Sequence, residues 1–172
     1  MSILDRLTGG DFRSIGNSEQ VVADVLTNTL LFAELFDGLT HSGALIRMRA
    51  ADAAEKVTAV RPDLLRPFKS RLLNEVASIN QQEVRWHVAQ MIPRLALTKS
   101  ERHKAIGIMR GYLSDKSSIV KTFSMQALAD LAEQDKSLEP EIISLLEELT
   151  QTGTPAMKSR GRKLLTSLHR KS

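Results

Sequence analysis

Apolar residues along the chain recur with the period of an α-helix, and the helices that they predict come in pairs. In four segments, apolar or small residues stand at offsets of zero, four, eight and eleven. These offsets share one stripe of a helix with about 3.6 residues per turn. The segments align without gaps and span residues 44–57, 82–95, 118–131 and 155–168. The pattern predicts four helices that each bury one face.

The first member of this stripe recurs every 36 to 38 residues. In order of offset, the stripe comprises Ile46, Val84, Val120 and Met157, then Ala50, Val88, Ser124 and Gly161, then Ala54, Ile92, Leu128 and Leu165, then Val57, Leu95, Leu131 and Leu168. The residue at offset four is modest in size in every segment. We therefore expect a neighbouring helix to approach closely at that position.

A second apolar-periodic segment precedes each of these helices. The four preceding segments are Leu31–Leu39, Phe68–Val76, Ile106–Leu113 and Ile142–Leu149. Turn-forming residues connect the members of each pair, and Pro62 and Pro140 stand where helices start or stop. The sequence thus predicts an all-α fold, and two antiparallel helices per unit of roughly 37 residues are typical of a solenoid.

The repeated helix resembles the second helix of a HEAT repeat. The likeness rests on Ile46-Arg47 followed by Ala50-Ala51, and on Val84-Arg85 followed by Val88-Ala89. In the fourth segment, Gly161 and Arg162 replace the usual alanines. The resemblance implies a right-handed α-solenoid of about four antiparallel helix pairs with an N-terminal capping segment. The expected repeats span about 29–60, 63–97, 101–136 and 140–171.

The N-terminal region differs in composition from the repeats. Residues 1–18 contain Gly9, Gly10 and Gly16 among polar residues, and we expect them to form a flexible arm. Residues 19–172 are predicted to form a single HEAT-like repeat domain. Within it, residues 19–27 are expected to form an extra helix that covers the first repeat, because a solenoid needs its exposed end capped.

Composition and hydropathy narrow the class of protein. The 172 residues are 42% apolar and 26% charged, as in soluble globular proteins, and they include no cysteine. The absence of cysteine excludes a disulfide framework and a thiolate metal site. The least polar stretch, Val21–Leu39, contains Asp24, Asn28, Glu34 and Asp37, so it is not expected to cross a bilayer. We expect a soluble, cytoplasmic protein with no membrane partner; the oligomeric state stays open.

Cations occupy the position next to the core stripe in every repeat. They are Arg47, Arg85, Lys121 and Lys158, in a chain whose net charge is +4. The HEAT resemblance implies that second helices line the concave face, so these residues would border it. Two interpretations stay open. Either the cations bond to the preceding loop or a neighbouring repeat as a structural ladder, with Asn80 or Asp115 as partners, or they attract an anionic partner.

The last predicted helix is strongly basic. It contains Lys158, Arg160, Arg162, Lys163, Arg170 and Lys171, with no acidic residue between them. A terminal repeat needs a polar outer face, and the helix dipole favours cations near a C-terminus. An anion-binding role for Arg160, Arg162 and Lys163 is the alternative.

Trp86 is the only tryptophan, and it stands between Arg85 and His87. Its position lies off the core stripe. It is therefore either an exposed anchor for a partner or a cover for a neighbouring repeat edge. Met48 occupies the equivalent position one repeat earlier, which allows a small apolar patch. Pro93 interrupts the same helix and is expected to kink or shorten it.

Enzymatic alternatives find little support in the sequence. The four histidines lack the repeated His-Glu pairs of HEAT-like deoxyhypusine hydroxylases. HEAT-like alkylpurine DNA glycosylases use aromatic residues and an aspartate; here the candidates are Trp86, Tyr112 and Phe123, with Asp52 and Asp130. We predict no catalytic residue, metal or cofactor.

The sequence instead favours a non-enzymatic scaffold or adaptor. It would bind a protein partner along the concave face, through Arg47, Arg85, Trp86, Lys121 and Lys158. A nucleic-acid-binding solenoid with a basic groove is the alternative.

Overall fold

The structure, a computed structural model, describes residues 1–14 and 16–172. These residues form nine α-helices, joined by short 3₁₀ segments, and no strand, which confirms the predicted all-α class. None of these helices combines the length and apolar character needed to cross a membrane. The contacts group into two compact units, residues 1–96 and 97–172. Their boundary lies at the predicted joint between the second and third repeats; the single domain over 19–172 stays a prediction.

The first unit is built around its longest helix. Its helices are α1 (Ser18–Thr27), α2 (Phe32–Asp37), α3 (Ala44–Val60), α4 (Lys69–Arg71) and α5 (Gln82–Met91). Short 3₁₀ helices at Ile3–Leu7, Thr29–Leu31, Gly38–Thr40, Pro62–Phe68 and Ile92–Arg94 extend or connect them. Helix α3 packs against α1, α2 and α5. The predicted extra helix over 19–27 is therefore present as α1, and it packs on the helix of the first predicted repeat.

The N-terminal residues are packed where the sequence predicts a flexible arm. Residues Ile3–Leu7 form a 3₁₀ helix, and the side chains of Ile3 and Leu7 are buried. The hydroxyl of Ser2 and the backbone N–H of Ile3 both donate to the carboxylate of Glu34 on α2. The glycine content of residues 1–18 favoured a loose arm, but two apolar side chains at a helical spacing suffice to anchor its beginning.

The first helix of the second predicted repeat is irregular. The segment 68–76 forms the short helix α4 followed by a π-helical turn over Leu72–Val76. Pro67 lies just before α4 and has no N–H to donate, so the preceding residues stay in a 3₁₀ helix. Leu72, Leu73 and Val76 are nevertheless buried, which means that the predicted apolar face is kept.

The second unit contains four longer helices. They are α6 (Lys99–Tyr112), α7 (Ser118–Gln134), α8 (Glu139–Thr152) and α9 (Pro155–Lys171). Helix α7 packs against α6, α8 and α9, and α8 also packs against α9. Helix α6 begins seven residues before the predicted Ile106, because Thr98 and Glu101 form a reciprocal capping box at its N-terminus.

The predicted core stripe is confirmed at most of its positions. Its members are buried except Ile46 and Leu165, which are half-buried. Close approach at offset four is also found. A methyl group added at Gly161 would lie 1.9 Å from the Thr150 hydroxyl, and one added at Gly38 would lie 2.7 Å from the Ala50 methyl. Helix α5 ends at Met91, two residues before Pro93, as predicted.

Candidate functional site

A cleft of about 290 Å³ lies in the first unit, between the N-terminal loop, α3 and α5. Its lining residues are Phe12, Arg13 and Ser14 from the loop, Met48, Arg49 and Asp52 from α3, and Glu83, Trp86 and His87 from α5. The side chain of Phe12 is 55% exposed, whereas Trp86 is half-buried and Met48 is buried. The cleft thus joins two aromatic rings and a thioether with charged groups of both signs.

Helical periodicity places the lining residues of α3 and α5 on facing surfaces. On α5, Glu83, Trp86 and His87 are spaced by three and four residues, so they share one face. On α3, Met48 and Asp52 are spaced by four residues in the same way. In the repeat alignment Met48 is equivalent to Trp86, and both side chains line the cleft.

The third wall of the cleft is held by a buried arginine. The side chain of Arg49 is fully buried, and its guanidinium donates to four backbone carbonyl groups. These carbonyls belong to Leu7, Gly9, Asp11 and Ser14. A planar guanidinium has five fixed donors and can serve four carbonyls at once, whereas the ammonium group of a lysine has only three donors. Arg49 therefore fixes the loop that presents Phe12 to the cleft.

Asp52 forms the charged floor of the cleft. Its carboxylate accepts a hydrogen bond of 2.7 Å from the Ser18 hydroxyl and pairs with Lys56 at 3.0 Å. Burial alone would raise the pKa of Asp52, but hydrogen bonds from His87, Ser18 and Lys56 outweigh burial and lower its pKa to about 2. The carboxylate is consequently ionised throughout the physiological pH range.

His87 connects this carboxylate to the tryptophan. Its Nδ1 lies 2.5 Å from the Glu83 carbonyl oxygen, which can only accept, so Nδ1 carries a proton. The Trp86 indole N–H donates to His87 Nε2 over 3.2 Å, and the same nitrogen lies 3.7 Å from Asp52. Nε2 accepts from the indole when the ring is neutral, and it donates toward the carboxylate when the ring is protonated. The neutral ring therefore helps to fix the indole plane.

The serine, histidine and aspartate around the cleft do not form a nucleophilic arrangement. A serine nucleophile needs a base that accepts its proton, commonly an imidazole nitrogen. Here the hydroxyl of Ser18 is buried and donates to Asp52 itself, while both nitrogens of His87 contact other groups. What the cleft offers to a ligand is two aromatic surfaces and charged groups of both signs.

In the first unit, the predicted cationic row is engaged in internal hydrogen bonds. The Arg47 side chain donates to the Gln81 side chain at 2.8 Å and to the carbonyls of His41 and Ser42. The Arg85 Nε donates to the Ile79 carbonyl at 3.3 Å, and Arg85 has a further interaction. These contacts favour the structural ladder at Arg47 and Arg85, although the partners are Gln81 and loop carbonyls instead of Asn80.

In the second unit, the predicted cations fall into two groups. In the described part of the chain, no hydrogen bond or ion pair involves the side chains of Lys121, Lys158, Arg162 and Lys163, and Arg162 and Lys163 are exposed. Arg160 instead donates to the Gln126 side chain at 2.8 Å and lies over the ring of Phe123. Tyr112 is buried. Of the predicted anion-binding residues, Arg160 thus has an internal partner and the other two do not.

Phe12 and Arg49 are among the lining residues that sequence reasoning missed. Phe12 and Arg49 were not predicted, because the loop was expected to be flexible and the alignment gave Arg49 no role. A signal did exist: Arg49 is equivalent to His87 in the repeat alignment, next to the equivalent pair Met48 and Trp86. Two successive equivalent positions on neighbouring helices predict a shared surface.

Neither the models of known protein families, nor the curated proteins, nor the solved structures match this chain.

Proposed function

We propose that this protein is a non-enzymatic adaptor that binds a short segment of a partner protein in the cleft of the first unit. The observation that carries the proposal is the meeting of Trp86, Phe12 and Met48 at the surface of one cleft. Tryptophan is among the residues that contribute most to binding energy at protein interfaces, particularly in a pocket surrounded by polar groups. Charged residues of both signs, including Arg13 and Glu83, form part of the lining and suit a polar rim.

The rigidity of the cleft supports the same proposal. Trp86 is held by His87, and the loop that carries Phe12 is held by four carbonyl contacts to Arg49. Anchors that are fixed before binding lose little conformational entropy when the partner arrives. A partner segment that inserts one apolar side chain between the rings of Phe12 and Trp86 would gain binding free energy from contact with both rings.

We further propose that the helix pairs are HEAT-like repeats and that the protein acts in the cytoplasm. The support for the first point is the burial of the repeated stripe and the pairing of consecutive helices inside each unit. The contacts of Arg47 and Arg85 move the proposed partner site from the cationic row to the cleft. Of the predicted partner-binding residues, Trp86 lines the cleft, and its role as an anchor for the partner stays a proposal.

The test is a selection from a random peptide display library on the immobilised full chain, run in parallel on two variants. Trp86→Ala removes the anchor, and Leu30→Ala removes an apolar side chain that is 87% exposed and does not line the cleft. We expect related peptides to be enriched on the original chain and on Leu30→Ala, and to bind Trp86→Ala about 30-fold more weakly. Equal enrichment on all three chains, or none on any, would refute the proposal, provided that circular dichroism shows each chain to be folded.

A further inference from the structure

One face of α9 is made of basic and hydroxyl side chains alone. A groove of about 480 Å³ on this helix is lined by Arg162, Lys163, Thr166, Ser167, Arg170 and Lys171. Residues spaced by four and eight positions lie in line along a helix. The lining residues accordingly form two adjacent rows, each with a cation at both ends and a hydroxyl between them.

Three cations of this face are available to a ligand. Arg162, Lys163 and Arg170 are exposed, and their side chains form no hydrogen bond or ion pair with the rest of the described chain. The fourth cation, Lys171, pairs with Glu133 on α7 at 2.9 Å. The helix dipole favours the cations of the last turn, which explains Arg170 and Lys171. It does not explain Arg162 and Lys163, which lie two turns earlier.

The opposite face of α9 anchors the helix in the second unit. Met157, Gly161, Leu164 and Leu168 are buried, and the helix packs against α7 and α8. The apolar side of α9 is therefore occupied and does not offer a surface for lipid insertion. What the helix presents to solvent is a fixed array of positive charge with no large apolar side chain.

We propose that this face of α9 binds the phosphate backbone of a nucleic-acid duplex. Arginine, lysine, serine and threonine are the side chains that contact phosphate groups in protein–DNA complexes. The distance from Arg162 to Arg170 along the helix is about 12 Å, given a rise of about 1.5 Å per residue. A duplex carries one negative charge per roughly 1.7 Å of its axis, so this length faces several phosphates.

The same residues argue against recognition of bases or of an acidic peptide. Binding of single strands relies on aromatic side chains that stack on bases, and none of the lining residues is aromatic. A peptide needs an apolar or aromatic anchor, which this face also lacks. The binding is consequently expected to be independent of sequence and to depend steeply on salt.

The experiment measures anisotropy of fluorescein-labelled duplex DNA, duplex RNA and single-stranded DNA with the full chain, at 50 to 200 mM salt. Three phosphate contacts predict a slope of about −2.7 in log affinity against log salt for duplex DNA. This slope corresponds to a roughly 40-fold loss of affinity over that range. The DNA and RNA duplexes share the phosphate chemistry, and their relative affinities show which of them is the ligand.

Two variants with equal loss of charge locate the site. The first variant combines Arg162→Gln, Lys163→Gln and Arg170→Gln. The control variant combines Lys99→Gln, Lys104→Gln and Lys116→Gln, which lie at exposed positions of the same unit outside the groove. We expect the first variant to lose at least about tenfold in duplex affinity at 50 mM salt, and the control less than about threefold.

Several results would overturn the proposal. They are no duplex binding at 50 mM salt, an equal loss in both variants, and tighter binding of the single strand than of either duplex. If polyglutamate competes as strongly as unlabelled duplex at equal charge concentration, the face binds an acidic peptide instead. Circular dichroism of both variants checks that glutamine, a good helix former, has preserved the helices.

Discussion

At the scale of single residues, the site depends on two polar side chains that a hydrophobic pattern does not reveal. Arg49 occupies a fully buried position between Met48 and Ala50 on α3, and its hydrogen bonds are made to the backbone of the N-terminal loop. Asp52, one turn further along, has a side chain that is only 18% exposed and gathers three donors. The sequence predicted the apolar neighbours Ala50 and Ala54, since those follow from periodicity. The partners of buried polar groups come from distant segments and cannot be read from spacing.

Asp52→Asn is expected to reduce the free energy of unfolding at pH 7 by about 2 kcal/mol. The folded state lowers the pKa of this carboxylate from 3.8 to about 2, so its ionised form contributes stability above pH 4. That contribution is lost as the pH falls from about 4 to about 2, and the two proteins should then converge. Urea unfolding at pH 7 and across this acid range measures the difference.

Asp63→Asn is the control for this effect. Asp63 pairs with Arg61 at an exposed position, where solvent screens the interaction, so the variant should unfold almost like the original chain at pH 7. An Asp52→Asn protein whose stability matches the original at pH 7 would show that burial of the carboxylate offsets its hydrogen bonds.

At the scale of elements, the second helix of each predicted pair follows the sequence pattern closely, whereas some first helices do not. Helices α3, α7 and α9 each begin at the first residue of the aligned segment. Around residues 68–76 the prediction of a regular α-helix fails, because Pro67 and a π-helical turn interrupt the regular hydrogen bonding. The spacing of apolar residues alone does not reveal such an interruption. Small residues at offset four are the clearest link between sequence and packing.

Gly161→Ala tests this link between α8 and α9. The added methyl group would lie 1.9 Å from Thr150 Oγ1 and 3.0 Å from Thr150 Cβ. Thr150 is β-branched and donates to the Leu146 carbonyl at 2.6 Å, so it cannot turn away freely. We expect a loss of about 1 to 3 kcal/mol in the free energy of unfolding, measured by urea denaturation.

Gly107→Ala provides the matched comparison within the same unit. Gly107 lies inside α6, and an added methyl group there meets no atom within 4 Å. This variant should gain up to about 1 kcal/mol, because alanine favours a helix more than glycine does. If Gly161→Ala were as stable as Gly107→Ala, the two helices would not be in the close contact described.

At the scale of the whole molecule, two surfaces with different chemistry lie in different units. The first unit has an aromatic cleft with a charged rim, and the second has a basic helix face. Sequence reasoning identified Trp86, Arg162 and Lys163 as candidates, because unusual residue types stand out in a repeat. It assigned a shared role to Arg47 and Arg85 with Lys121 and Lys158 because they are equivalent in the alignment. Equivalent residues do not have equivalent neighbours: Arg47 donates to Gln81 and to loop carbonyls, and Arg85 donates to a loop carbonyl.

The most direct test of the proposed cleft is the fluorescence emission of Trp86 during titration with a peptide from the display selection. Because Trp86 is the only tryptophan, the signal comes from the cleft alone. We predict a saturable change in emission, reduced quenching by acrylamide, and an affinity that falls at least about tenfold in Phe12→Ala. If the peptide binds by calorimetry while the emission and its quenching stay unchanged, the partner site lies elsewhere and the central claim is wrong.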